Sequence, residues 1–315
     1  MPLGSSTIRR SLTLCAVLAC LAALATSAAA QATPATFDEL LGTAAGTTND
    51  MGPIGIVPLT HGFNASLGTT AQHDSSNGWA SILTPGIAYR FNNLLSLTAS
   101  APIYTYINID QTKGTKAKPI YNQITRYDVP GDTTLAAILT TTHALLDYSA
   151  TTSLGLPSGN SSYGLGAGQV TYDLNNHFEK SLGRFTPDIE LGIGDSSNLI
   201  GARIKKSYTA VGTLAHFQLG TALDLSHNIS FEADAYEQLP LATSSLYSTT
   251  RKGKKKVTTA TGKSLTEDNG FITSLDIPVS GHITLSGFYN RSLRSSDDLA
   301  GLSLTFLLKA PPRAE

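Results

Sequence analysis

Three groups of residues in this 315-residue sequence have the types and spacing to do chemistry. The first is His73-Asp74-Ser75-Ser76-Asn77-Gly78. Alternate residues of an extended chain share a side, so His73 and Ser75 would stand together as base and nucleophile. The stretch is dense in turn formers, and the expectation is a solvated polar loop, with hydrolysis as the alternative. The second group is Arg90, Asp147, Asp173, Asp188, Glu190, His216, Asp224, Glu232, Asp234 and Asp276. Each occupies a polar position in a stretch that alternates apolar and polar residues. Acids predominate, so inside a pore they would favour cations; as paired interior charges they would instead fill a narrow barrel. The third group, Arg251, Lys252, Lys254, Lys255 and Lys256, forms an external basic patch able to hold phosphates such as those of lipopolysaccharide, or a solvated loop tip. The seven histidines are scattered, and no His/Asp/Glu set has metal-ligand spacing. The glycine-rich run at 164–168 lacks the strand and helix that would flank a nucleotide site. No cofactor is expected.

The elements that must position these residues are strands. In 185–193, Phe185, Pro187, Ile189, Leu191 and Ile193 share one face, and Thr186, Asp188, Glu190 and Gly192 the other. The same period of two recurs through 146–156, 229–239 and 300–308. Twelve such segments are predicted, near 57–70, 80–91, 94–106, 131–142, 146–156, 168–178, 184–194, 207–225, 229–239, 268–279, 282–291 and 299–309. Connections after even-numbered segments are short, as in Asn92-Asn93 and Ser280-Gly281. Those after odd-numbered segments are mostly longer and polar, the longest being 108–130 and 240–269. That alternation is the mark of a membrane barrel with periplasmic turns and external loops. An open sheet edge in lipid would strand backbone groups at several kcal/mol each, so the sheet must close. The fold expected is all-β: a closed antiparallel transmembrane β-barrel of about twelve strands spanning 54–309. Tyr89, Phe91, Tyr148, Phe178, Phe185, Phe231 and Tyr289 sit near segment ends, where interfacial girdles belong. Pro85, Pro102, Pro187 and Pro278 should mark bulges, kinks or local gaps in pairing.

Composition places this barrel in a membrane. Charged residues make up only 14% of the chain, against about 25% in an average globular domain. After the N-terminus no apolar run approaches the ~20 residues of a spanning helix. Arg9-Arg10, the apolar run at 12–25 and Ala28-Ala29-Ala30 form a secretory signal peptide over 1–30. Both cysteines, Cys15 and Cys20, lie within it, so the mature chain has no thiol chemistry. Residues 31–53 would form a periplasmic leader or a plug, and 310–315 a C-terminal tail. A net charge of -1 gives no sign of a nucleic-acid partner.

The middle of the chain resembles a known group. Val129-Pro130-Gly131-Asp132-Thr133-Thr134-Leu135, Leu154-Gly155-Leu156-Pro157-Ser158-Gly159-Asn160, Tyr163-Gly164-Leu165-Gly166-Ala167-Gly168 and Ile189-Glu190-Leu191-Gly192-Ile193-Gly194 follow one another in order. They are similar to motifs of the outer-membrane barrel family linked to meta-pathway degradation of phenol and other aromatic compounds. The resemblance implies a channel or transporter for small, often hydrophobic compounds, and brings no catalytic residues. One departure is the chain end, where Phe306 is followed by Leu307-Leu308-Lys309 and a tail in place of a terminal aromatic. The 73–78 stretch is also similar to the His-x-Ser-Asn-Gly motif of outer-membrane phospholipases, with one serine more. The sequence therefore reads as a bacterial outer-membrane channel or transporter and not an enzyme, with lipid hydrolysis or surface interaction as alternatives. Its expected partners are outer-membrane lipid, lipopolysaccharide, small-molecule solutes and the barrel-assembly machinery; its oligomeric state is left open.

Overall fold

The computed structural model describes residues 61–309 apart from 76–77, 116–117, 144, 161–162, 164, 196–207, 212, 226–228, 242–244, 253–254, 265–266 and 295. The expected signal peptide, leader or plug, and tail lie outside the described residues.

Every wall strand is built from the period of two seen in the sequence. In chain order the strands are β1 (Gly62–Asp74), β2 (Gly78–Arg90), β3 (Leu95–Ser100), β4 (Ile103–Thr115), β5 (Lys118–Arg126) and β6 (Val129–Pro130). Next come β7 (Thr133–Thr142), β8 (Asp147–Leu156), β9 (Thr171–Glu179), β10 (Phe185–Asp195), β11 (Tyr208–Val211) and β12 (Thr213–Asp224). The last are β13 (Ser230–Pro240), β14 (Ser245–Lys252), β15 (Lys255–Ser264), β16 (Asp268–Ser280), β17 (Ile283–Ser292) and β18 (Asp298–Lys309). The wall runs β1-β18-β17-β16-β13-β12-β10-β9-β8-β7-β3-β2 and returns to β1, which pairs with both β2 and β18. It is a closed antiparallel barrel of twelve strands, counting β3 with β4 and β6 with β7 as single interrupted staves.

The faces are inverted relative to a water-soluble protein. Leu219 and Leu302 are 62% and 63% exposed on the outside, whereas Asp188, Glu190, Glu232 and Asp234 are 3–5% exposed within. A charged interior under an apolar exterior is stable only where the exterior meets lipid. The chain is therefore an outer-membrane β-barrel.

The expected girdle is asymmetric. At the short-turn end, Tyr89 packs edge-on to Phe91 with centroids 4.8 Å apart, and Tyr148 lies 4.9 Å from Phe178. Phe185 and Phe231 open β10 and β13 at that same end. Tyr289 is in the opposite half of β17, 5.9 Å from Phe271, and its hydroxyl donates to Asp298 Oδ1 at 2.6 Å.

Two expected loops are largely strand. Connection 108–130 holds the end of β4 and the antiparallel hairpin it forms with β5, and 240–269 holds the β14–β15 hairpin, whose β14 also pairs with β11 in a separate three-stranded sheet. Backbone pairing continues past the membrane because the polar Thr- and Lys-containing stretches still satisfy a ladder there. The segment expected at 207–225 is split for the same reason, into β11 and the wall strand β12. The prolines sit at ladder irregularities. Pro102 falls between β3 and β4, Pro278 at a bulge, Pro85 where β2 exchanges β4 for β3, and Pro187 just beyond the ladder joining β10 to β9.

Candidate functional site: the barrel lumen

The ladder register decides which inward side chains meet. One transverse row runs Asp147, Glu179, Asp188, Gly220, Asp234 from β8 to β13. The next runs Ser149, His177, Glu190, Gln218, Tyr236, and the one after it Thr151, Asn175, Gly192, His216, Gln238. In the middle of these rows Glu190 lies between two histidines. Its Oε2 is 3.9 Å from His177 Nδ1, and its Oε1 is 3.8 Å from His216 Nδ1. His177 Nε2 is 3.4 Å from Glu179 Oε2, and His216 Nε2 is 3.1 Å from Asp173 Oδ1. Five ionisable groups from β9, β10 and β12 thus form one chain along the wall.

Glycines make this layering possible. Gly192 faces His216 directly across the ladder, and a Cβ there would lie 1.9 Å from His216 Cε1. Gly194 stands in the same relation to Asp173, Gly220 to Asp234 and Gly270 to Tyr236. Each large polar side chain lies flat over the bare backbone of the next strand, which keeps it within reach of its neighbours.

The ten residues singled out in the sequence all fall on the inward parity of their strands, but they do not form one cluster. Asp173, Asp188, Glu190, His216, Glu232 and Asp234 come together, and Asp147 shares their lowest row. Asp276 stands on β16 beside Ser286, its ladder partner. Arg90 is at the short-turn end, where its Nε donates to Asn92 O at 3.2 Å, and Asp224 is exposed at the end of β12. His177, Glu179, Gln218 and Tyr236 belong to the same surface and were missed. His177 and Glu179 are two and three alternations beyond Asp173, on the same odd-numbered face of β9, so the period that exposed Asp173 carried them too.

A second surface lines the opposite side of the lumen. Ala80 and Ile82 of β2, Tyr104 and Ile107 of β4, Val129 of β6 and Leu299 of β18 form a buried apolar cluster with Leu165 of connection 157–170. Tyr163 and Phe288 pack against it, and Arg126 lies 5.2 Å above the Tyr163 ring. Asp132 holds this connection in place. Its Oδ1 accepts from the Gly159 N–H at 2.8 Å and its Oδ2 from the Ala167 N–H at 2.5 Å. Ser158 Oγ accepts from the Thr133 N–H at 2.8 Å, and the Asn160 N–H donates to Pro130 O at 3.0 Å. The described residues of the three glycine-bearing motifs, 129–135, 154–160 and 163–168 apart from 164, therefore form a single packed unit. A Cβ on Gly159 would lie 2.6 Å from Leu165 O and 2.7 Å from Asp132 N, both backbone atoms. Gly159→Ala should accordingly cost about 1–3 kcal/mol by overpacking, read as a lower urea midpoint of the refolded barrel.

His73 and Ser75 are differently placed from the sequence expectation. His73 and Asp74 lie within β1, and the His73 ring packs on Trp79 with centroids 4.9 Å apart. Ser75 Oγ accepts the Asp298 N–H at 2.8 Å, and its own N–H donates to Asp298 O. Among the described residues no hydrogen bond joins His73 to Ser75. The backbones of Arg251 and Lys256, and of Lys252 and Lys255, pair near the end of the β14–β15 hairpin and not in a loop; Lys254 lies outside the described residues. The ladder also brings together three acids that sequence spacing did not group. Asp188, Glu232 and Asp234, from β10 and β13, bring carboxylate oxygens within 4.8 Å of one another.

No family model matches the sequence. No curated protein matches it either. Solved structures do. The COG4313 outer membrane channel from Pseudomonas putida F1 superposes with a TM-score of 0.55 at 13% identity, over 82% of this chain and 99% of that one. The NanC porin gives 0.45 at 9% identity over 76% and 98%, and the KdgM porin 0.44 at 9% over the same shares. The first of these likenesses shows that the two chains share the barrel fold.

Proposed function

We propose that this protein is an outer-membrane channel or transporter for small molecules, with aromatic and other hydrophobic compounds as its substrate class. The observation that carries the reading is the two-sided lumen. An apolar surface bearing Tyr104, Tyr163 and Phe288 stands across from a wall of acids and histidines. A ligand with an apolar ring and a polar edge fits such a passage, since small-molecule sites combine apolar lining with a few placed polar groups. The motif resemblance to barrels of aromatic-compound degradation points the same way, and the structurally similar COG4313 protein is described as an outer membrane channel. The expected partners, outer-membrane lipid and small solutes, follow from the same reading.

Single-channel recording of the refolded mature chain in a planar bilayer tests it. Discrete, cation-preferring steps are expected, partly blocked by phenol or benzoate. Glu190→Gln together with Asp147→Asn should move the reversal potential in a salt gradient toward the anionic side. A folded barrel with no conductance and no aromatic effect would sink the proposal.

A further inference from the structure

The geometry points to a calcium site in the lumen wall, formed by Asp188, Asp234 and Glu232. It goes beyond the channel reading and depends on the barrel alone.

Asp188 and Asp234 stand on either side of Gly220 in one ladder row, and Glu232 is one alternation from Asp234 on β13. Gly220 has no side chain to separate the two aspartates. A Cβ there would lie 1.5 Å from Asp234 Oδ1, so that oxygen occupies the space above Gly220, on the side toward Asp188. The three residues are 3–5% exposed.

Two buried carboxylate oxygens here, Asp188 Oδ2 and Asp234 Oδ1, have no hydrogen-bond partner. The second oxygen is the one over Gly220, aimed into the gap between the aspartates. This is separate from the mere presence of acids. Buried carboxylates ordinarily satisfy their oxygens, and a buried charged group left without a partner costs several kcal/mol. The charged groups acting on Asp234 are themselves carboxylates, Glu232, Asp188 and Glu190. Asp188 is acted on by one cationic candidate, His177, against two more carboxylates, Glu179 and Glu190. Gln218 hydrogen-bonds Asp234 and His177 acts on Asp188, yet Asp188 Oδ2 and Asp234 Oδ1 are met by neither; a bound cation meets both oxygens and the excess of negative charge.

The chemistry selects the ion. All three donors are hard oxygens, which suit calcium or magnesium better than zinc, whose sites usually include sulfur or nitrogen. Their oxygens lie within 4.8 Å of one another. Calcium accepts oxygen ligands in flexible geometry, whereas magnesium demands a near-ideal octahedron and keeps several waters, so three wall carboxylates suit calcium better.

The test uses the refolded, EDTA-stripped barrel in zwitterionic detergent, titrated with Ca²⁺ alone by calorimetry. One saturable site is expected in the wild-type barrel and in Glu267→Gln, whose carboxylate pairs with Arg294 away from the row. Asp188→Asn and Asp234→Asn should each raise the Kd at least ten-fold, with folding checked by heat-modifiability. Absence of saturable binding in the wild type would overturn the site and leave protons to neutralise the acids. An unchanged Kd in both variants would overturn it as well. Should a variant fail to fold, wild-type thermal unfolding decides. Calcium must raise the Tm and EDTA reverse it, and a Tm indifferent to Ca²⁺ counts against the site. None of these readouts needs permeation, so failure of the channel reading leaves the test intact.

Discussion

Asp132→Ala is expected to release connection 157–170 from the lumen and make it a substrate for chymotrypsin. The two hydrogen bonds that Asp132 accepts, from Gly159 and Ala167, are the charged part of the clasp that holds this connection beside the start of β7, next to those of Ser158 and Asn160. A hydrogen bond to a charged group contributes about 1.5–3 kcal/mol. Losing two removes at least ~3 kcal/mol, which is roughly a hundredfold in the population of the open form at 1.4 kcal/mol per factor of ten. Leu165 is 2% exposed when the clasp is closed, so cleavage beside it reports opening. The variant should be cut beside Tyr163 or Leu165 at least ten times faster than the wild-type barrel, with the wall itself resistant. Single-channel conductance should rise in step, since the connection lies against the inner faces of β2, β4 and β18. Asp132→Asn keeps one acceptor oxygen and should fall between the two. Equal cleavage rates for all three proteins would show that the connection is held by something other than this carboxylate.

The second large effect is expected at Ile107. It is fully buried in the apolar luminal cluster, beside Ala80 across the ladder from β2. Truncation of a buried isoleucine to alanine costs about 2–5 kcal/mol, because the cavity adds to the lost transfer energy. Ile107→Ala should therefore lower the urea midpoint of the barrel refolded into vesicles with little change in the m-value. Ile87, on the outer face of β2 at 50% exposure, is the comparison. There lipid can close around the smaller side chain, and the loss should be less than half as large. Similar losses at both positions would mean that the luminal cluster is not packed as a core.

The barrel was legible in the sequence for a physical reason. Side chains of a strand alternate faces, so the repeated apolar-polar period both locates wall strands and says which side meets lipid. Asp188, Glu190, Glu232 and Asp234 were assigned to the polar face on that ground, and they stand inside the barrel. Loop lengths were legible as the spacing between segments, but not their conformation. Polar residues accept strand pairing outside the bilayer as readily as a loop, and so β4–β5 and β14–β15 extend as hairpins.

Alternation determined by itself the class of fold, the strand count and the facing of the charged residues, since these depend only on neighbours in the chain. Register decided the rest. That Glu190 lies between His177 and His216, that Gly220 separates Asp188 from Asp234, and that Asp132 reaches Gly159 and Ala167 are relations between residues brought together by ladder pairing and loop docking. A shift of one residue in any ladder would reverse the facing of an entire strand, and a shift of two would keep the facing and dissolve every one of these contacts. The period of a sequence is blind to that second shift. Only hydrogen bonding around the closed wall selects among the registers, and with them the chemistry of the lumen.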